Sequence, residues 1–353
     1  MSTASVDAIH QGQAFGSVAS RMVANGMNAN AMRPYVGKDG RSYISVYNNG
    51  VWKAEPSFNA ALLQKDEWKN YDDAVLRASR NRLVGVADLE SRGLVYSIGN
   101  GMGTTVLEYE DMNDPGEAAV DMDGINPGRN DRAEYSIKYL PLPITHSDFF
   151  LNARVLASSR TRGIPLDVSQ AEAATRRVNE KLEDMLFTAY SFTFGEGTIY
   201  GYLNHPNRNQ YTLAAHWNDS AASGTTILAD VQGMIQMSID AKHYGPWVLY
   251  VPTAFQTALG DDYQTGYPKT IRQRLLELEG LEDIKVADRL TADNVVLVQM
   301  SSDVVRMVNA METMPVEWET IGGMRINYKI MCIKVPQIRA DQSGNSGIVH
   351  GTK

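Results

Sequence analysis

Cysteine is almost missing from this chain: Cys332 is the only one in 353 residues. A lone cysteine excludes an internal disulfide and a cysteine zinc cage. Its setting, Ile330-Met331-Cys332-Ile333, suits a small buried hydrophobe. Long apolar runs are missing as well, since no stretch approaches the roughly 18 residues that signal a membrane helix. The first residues, Met1 to His10, have neither the basic start nor the apolar run of a secretory signal. The expectation is a soluble protein made in the cytoplasm, without a membrane partner. Positive charge is in deficit too, with 33 Lys and Arg against 41 Asp and Glu and a formal net charge of -8. Tight, generalised gripping of nucleic acid needs dense basic side chains that displace counterions. Enclosing nucleic acid without gripping it does not.

Motifs for catalysis or metal binding are equally scarce. The six histidines are scattered, with no pair at metal spacing on one helix. His146 and Asp148 could form a base and its orienter, but no Gly-x-Ser-x-Gly nucleophile motif accompanies them, and Gly344-Asn345-Ser346-Gly347 lies in a polar terminal stretch. Gly99-Asn100-Gly101-Met102-Gly103 has the glycine content of a phosphate loop, yet strand-like Thr104 to Tyr109 follows where a helix is required. In Asp121-Met122-Asp123-Gly124-Ile125-Asn126 the glycine is fourth rather than sixth, and Arg132 takes the twelfth place where calcium needs a bidentate Glu. No catalytic, cofactor-binding or metal-ligating residues are therefore expected.

What is present is a long arm between Leu94 and Leu142. Val95 to Ile98 with Thr104 to Tyr109 on one side, and Ala133 to Tyr139 on the other, alternate as paired strands do. From Glu108 to Gly128 the chain carries Glu108, Glu110, Asp111, Asp114, Glu117, Asp121 and Asp123 and no Lys or Arg. Such a segment has no core of its own, and an isolated two-stranded ribbon is marginal in water, so a neighbouring molecule must order it. Arg129 and Arg132 end the arm, and Leu151 to Gly163 holds Arg154, Arg160 and Arg162 with no acid. These acids and arginines are the candidate intersubunit contacts.

Around the arm, residues 1 to about 55 read mainly as a polar extended segment, with a short amphipathic helix around Val18 to Val23. Residues 64 to 87 carry a helical stripe with acids early and arginines late. After Pro165 comes the clearest helix, about 167 to 189, opened by Ser169 and Glu172 as a capping box. Its apolar face is Ala171, Ala174, Val178, Leu182, Met185, Leu186 and Ala189, and its charged face includes Glu180, Lys181, Glu183 and Asp184. A helix from Ile227 stopping at Gly245-Pro246, strand 247 to 251, helix 269 to 279, and strands 284 to 290 and 294 to 300 form a second unit. Strands 316 to 318 and 324 to 335 return to the first, and the polar stretch from Asp341 reads as a disordered or loosely docked tail.

This order, with Leu62 to Trp68, Arg82 to Leu89, Arg92-Gly93-Leu94, Glu183 to Phe187 and Ile199 to Leu203, resembles the major capsid proteins of tailed bacteriophages with the Hong Kong 97-type fold, and within it the encapsulin-like branch. The resemblance covers about residues 55 to 340 and implies an α+β chain. It divides into an N-arm at 1–55, a peripheral domain at 56–97, 139–195 and 313–340, an extended loop at 98–138, an axial domain at 196–312 and a C-terminal tail at 341–353. In that fold the extended loop of one subunit lies across the next, which supplies the core the arm lacks.

The expected function is a structural subunit, not an enzyme, that self-assembles as pentamers and hexamers into the icosahedral head of a tailed double-stranded DNA phage. It would enclose the DNA without sequence-specific binding, be built in the host cytoplasm and reside in the virion. Portal and decoration proteins are further candidate partners. Because only about 55 residues precede the ordered part, a separate scaffolding protein is expected rather than an internal one. The alternative is an encapsulin nanocompartment shell around a cargo enzyme, and from another class, a hydrolase.

Overall fold

The structure is a computed structural model that describes residues 35–37, 39, 41–48, 51–56, 84–112, 122, 135–162, 169–219, 222–264, 266, 268–322, 324–341 and 344–353. Most of the 64–87 helix expected from sequence lies outside these residues. The part inside is helix α1, Val84–Ser91, which runs past the expected end.

The first sheet is four-stranded, in the order β4 (Val95–Ser97), β14 (Val305–Thr320), β15 (Arg325–Ile338) and β7 (Thr145–Asn152). β14 and β15 form one long antiparallel hairpin, and their alternation sorts side chains to two cores. Ile326, Tyr328, Ile330 and Cys332 point to one face, and Met331, Ile333 and Val335 to the other. The long helix α3, Ser169–Phe187, covers the first face with Ala171, Ala174, Val178, Leu182, Met185 and Leu186. At its end Tyr202 donates its N–H to the Leu186 carbonyl at 2.8 Å. Gly201 permits that crossing, because a Cβ there would sit 2.3 Å from the Thr188 oxygen.

The second sheet is five-stranded, in the order β10 (Asn209–Thr212), β16 (Ile348–Thr352), β13 (Asn294–Gln299), β11 (Trp247–Pro252) and β12 (Leu281–Ala287). The unbroken apolar run of β11 is explained by burial of both faces. Val248 and Tyr250 enter the core shared with α3, while Trp247, Leu249 and Val251 meet helix α4, Gly224–Asp240, through Ile227, Val231 and Met234. The two sheets therefore share one continuous core across α3.

A two-stranded ribbon of β5 (Val106–Met112) and β6 (Tyr135–Pro141) projects from this body. Its base, Leu140 and Leu142, joins Ile199 of β9 (Gly197–Tyr200) over Met311, Met314 and Ile333. β9 pairs with β8, Ser191–Phe194. Helix α2, Ala153–Arg162, follows β7 directly.

Several expectations are corrected. Val95–Ser97 does not pair with the arm; it runs parallel to β14 at Met307 to Asn309, where its backbone completes the sheet edge. The return to the first sheet begins at Val305 rather than 313, because β14 is continuous from there. The boundary at 196 cuts the β8–β9 hairpin, whose Ile199 packs beneath the ribbon. The stretch after Asp341 is not a loose tail: β16 is inserted between β10 and β13, with Ile348 and Val349 buried. Within residues 1–55, Tyr35–Val36, Ser42–Asn48 and Val51–Pro56 (β1 to β3) form an antiparallel meander whose Tyr35 enters the main core. Helix α4 stops at Asp240, ahead of Gly245-Pro246, because Lys242 turns left-handed (φ 63°) and donates to the Ile239 carbonyl. The helix expected at 269 to 279 is only Ile271–Leu275 (α5), opened by the Thr270–Gln273 capping box, and the strand expected at 284 to 290 is β12, in parallel register with β11.

Candidate assembly surface

The ribbon places the first of the acids. Cross-strand pairs share a face, so Glu108 opposite Tyr139 and Glu110 opposite Ile137 form one side, and Leu107 opposite Leu140 and Tyr109 opposite Lys138 the other. The carboxylate side is exposed and carries Tyr135 and Ile137 at 63% and 56% exposure. Asp111 lies on β5 opposite Ser136. Asp114, Glu117, Asp121, Asp123, Arg129 and Arg132 lie outside the described residues. So does the Asp121 to Asn126 loop, apart from Met122.

Arg154 is exposed in the first turn of α2, whose Ala153 N–H donates to the Met324 carbonyl at 3.0 Å. That bond ties α2 to the turn between β14 and β15. Phe150, Val155, Trp318, Ile321 and Met324 are all exposed there, with Arg325 stacked on the Phe150 ring at 3.8 Å. Arg160 and Arg162 are the late residues of α2, and only their backbone is described. Among the described side chains, no ion pair joins Glu108 or Glu110 to Arg154.

Behind these surfaces lies a set of buried charges that the sequence reading missed. Helix α1 is clasped from three sides. At its start the Glu183 carboxylate of α3 accepts the Gly85 and Val86 N–H groups at 3.0 and 3.1 Å. These are first-turn amides without an intrahelical partner. Gly85 makes the approach possible, since a Cβ would lie 2.5 Å from the Phe187 ring. Burial pushes the Glu183 carboxyl up to about 7, against those two amide bonds and helped by Asp288 and Asp184.

In its middle, Asp88 accepts from the Tyr250 hydroxyl at 2.6 Å, the Lys285 ammonium at 2.6 Å and Arg92 Nε at 3.0 Å. Burial alone would raise this carboxyl, but the Lys285, Tyr250 and Arg92 bonds hold it below the usual aspartate value. At its end, Glu90 accepts from buried Lys334 of β15 at 2.7 Å, and Glu312 lies 3.0 Å from the same ammonium. Burial opposes that charge and the two glutamates outweigh it, leaving the Lys334 pKa raised. One short helix thus links α3, the first sheet and the second sheet.

Glu183 was placed on the charged face of α3, and that is corrected: it is buried. The signal was present in the spacing, for Glu183 follows Asn179 by four residues and precedes Leu186 by three, inside the apolar stripe. His146 and Asp148 are a 3.0 Å pair on exposed β7, and Asp148 also lies 3.5 Å from Lys329, an arrangement of strand-surface charges. Gly99 to Gly103 forms turns, with Gly101 close against the Ala310 backbone. Burial pushes the Cys332 thiol up to about 12, so it stays protonated. Among the described residues, no group of three His, Cys, Asp or Glu could hold a metal, and no helix is long and apolar enough to cross a membrane.

Comparison with known proteins agrees with this architecture. Among curated proteins, the chain is 22% identical over 278 residues to the type 1 encapsulin shell protein EncA of Myxococcus xanthus (strain DK1622), covering 78% of this chain and 90% of that one. The virus-like particle from Pyrococcus furiosus matches with a TM-score of 0.58 at 16% identity, over 80% of this chain and 98% of the other. The capsid of Myoviridae phage XM1 gives a TM-score of 0.58 at 10% identity, over 76% and 92%. The fold is the Hong Kong 97-type capsid fold. Residues 59–351 match the family described as Family of unknown function (DUF6260), and the chain belongs to that family.

Proposed function

We propose that this protein is a shell subunit: a structural, non-enzymatic chain that closes with copies of itself into an icosahedral container. The observation that carries this reading is the β5–β6 ribbon, whose exposed face combines Glu108 and Glu110 with Tyr135 and Ile137 and is left uncovered among the described residues. An uncovered mixed face on a two-stranded ribbon is a surface built to be covered. In this reading the body around the four-stranded sheet and α3 is the peripheral domain, and the five-stranded sheet, β16 included, is the axial domain. The ribbon is the extended loop that crosses a neighbour, with Arg154, Arg160 and Arg162 among its contacts.

The finer reading is the major capsid protein of a tailed double-stranded DNA phage, with separate scaffolding and portal proteins and a decoration protein as partners. The long acidic, Lys- and Arg-free segment from Glu108 to Gly128 supports it, because larger shells ask one chain to fit several environments. The encapsulin reading rests on the similarity to the Myxococcus xanthus shell protein over most of both chains. Negative-stain microscopy and mass photometry of the purified protein, alone and co-expressed with a candidate scaffolding protein, test the proposal. Closed megadalton particles are expected, and a monomer or dimer under both conditions would refute it. Particles that need scaffold and come in several sizes favour the phage head; one uniform small shell formed alone favours the encapsulin.

A further inference from the structure

A cavity of about 340 Å³ opens where the ribbon leaves the body, between β6, β9, the loop at 205–207 and the end of β15. Tyr109, Lys138, Tyr200, His205, Asn207 and Arg339 line it, and the one acid among the described lining residues, Glu196, sits exposed in the β8–β9 turn. Two more guanidinium groups stand close by. Arg208 donates to the His205 carbonyl at 3.0 Å and to His350 at 3.3 Å. Arg306 donates to Gln337 at 2.6 Å and stacks on the Tyr96 ring at 4.4 Å. Among the described residues, Arg208, Arg306 and Arg339 have no ion pair with a carboxylate.

Two groups are shifted in the direction that burial and the neighbouring cations both favour. Burial, then Lys138 and Arg208, push His205 down to about 4, so the ring is neutral near pH 7. Burial, then Arg339, lowers Arg306. Cations gathered at a half-enclosed, low-dielectric site focus a positive potential in it. Guanidinium groups match tetrahedral oxyanions with paired, charge-assisted hydrogen bonds. The volume is at the small end for a ligand site, which suits a compact anion.

We propose that this cavity binds a compact multivalent oxyanion of the phosphate class, held chiefly by Arg339, with Asn207 and the Tyr200 hydroxyl completing the donor set. The phosphate can arrive free or as the terminal phosphate of a nucleic-acid strand, and the recognition chemistry is the same. Neither source depends on how the subunit assembles.

Isothermal titration calorimetry of the full-length protein at pH 7 and low salt tests this with inorganic pyrophosphate and with a short oligothymidylate, with and without its 5′-phosphate. Saturable pyrophosphate binding at one site per chain is expected. Arg339→Gln should weaken it by about tenfold or more, the effect of losing a hydrogen bond to a charged group. Asn207→Asp, which keeps the side-chain size and adds a repelling charge, serves as a second variant should Arg339→Gln misfold, and it should weaken binding similarly. Preference for free pyrophosphate assigns the free anion, and equal or tighter binding of only the phosphorylated oligonucleotide assigns the strand end. No heat up to about 1 mM pyrophosphate, unchanged affinity in both folded variants, or oligonucleotide binding indifferent to the 5′-phosphate would overturn the proposal. Tighter binding of a peptide of residues 108–128 than of pyrophosphate would also overturn it, making the cavity a carboxylate receptor.

Discussion

Glu183 shows how one side chain can couple packing to pH. Its carboxyl is held at about 7 in the folded chain against an ordinary value of 4.5, with burial as the leading cause. Between those values the folded chain keeps a proton that the unfolded chain has lost, so this contribution to stability is complete below about pH 4.5 and falls away as pH rises through 7. Glu183→Gln keeps an oxygen for the Gly85 and Val86 amides and removes the ionisation. Relative to the parent, the variant should gain stability from pH 5 to pH 8, by up to about 3 kcal/mol at roughly 1.4 kcal/mol per pKa unit. Thermal melts at the two pH values measure this, and an identical offset at both would count against it. Asp88 has the opposite sign of effect. Asp88→Asn removes the carboxylate that Lys285 and Arg92 share, and because both cations are partly exposed and keep Asp283 and Glu282 nearby, the cost is that of disrupted buried hydrogen bonds, about 1–3 kcal/mol. A melting temperature within a degree of the parent would show that α1 is not the clasp described. The stripe of α3 gave away its apolar members and, by position, Glu183, whereas Asp88 and Lys334 look like surface charges until their long-range partners are known. Sequence spacing carries no information about a partner 197 or 244 residues away.

At the scale of elements, sequence and structure agree where burial imposes a period. The β5–β6 pairing, α3 and the all-buried β11 were legible because one or both faces have a fixed environment. β16 was not. Ile348-Val349-His350-Gly351-Thr352 is short and follows a stretch rich in Gly, Asn and Ser, and only its insertion between β10 and β13 makes it a central strand. Two deletions separate these elements. Removing residues 348–353 strips β10 and β13 of their shared neighbour and removes buried Ile348 and Val349 from two cores, so the chain should become insoluble or lose cooperative melting. Normal expression and melting would return the segment to the status of a tail. Removing residues 108–128 takes away most of β5, Tyr109 at the ribbon's base included, and the acidic segment that follows, but nothing of the second sheet. The second sheet should stay folded by circular dichroism while particles no longer form, and normal particles from this deletion would deprive the ribbon of its proposed role.

For the whole molecule, the question is what holds copies together once they meet. Some proteins of the Hong Kong 97-type fold weld neighbours through a lysine on the extended loop and an asparagine opposite. This chain has no lysine between Lys69 and Lys138, and Lys138 sits low on the ribbon, where it lines the cavity at the body. The basic residues beyond the described ribbon, Arg129 and Arg132, are guanidinium groups that stay protonated and are poor nucleophiles. An amide weld needs a neutral amine delivered at the loop's outer end, and none is there. On the proposed reading, cohesion comes from covering apolar side chains that are exposed on the single chain, such as Tyr135, Ile137, Phe150, Trp318 and Ile321, since single exposed ion pairs contribute only about 0–1 kcal/mol each. Salt should therefore weaken particles less than mild detergent does. Boiling assembled particles in denaturing detergent should release a single band near 39.0 kDa. A ladder of oligomers that survives boiling and reduction would mean that a covalent link forms from some other residue, and that the lysine-free loop does not decide how the shell is held.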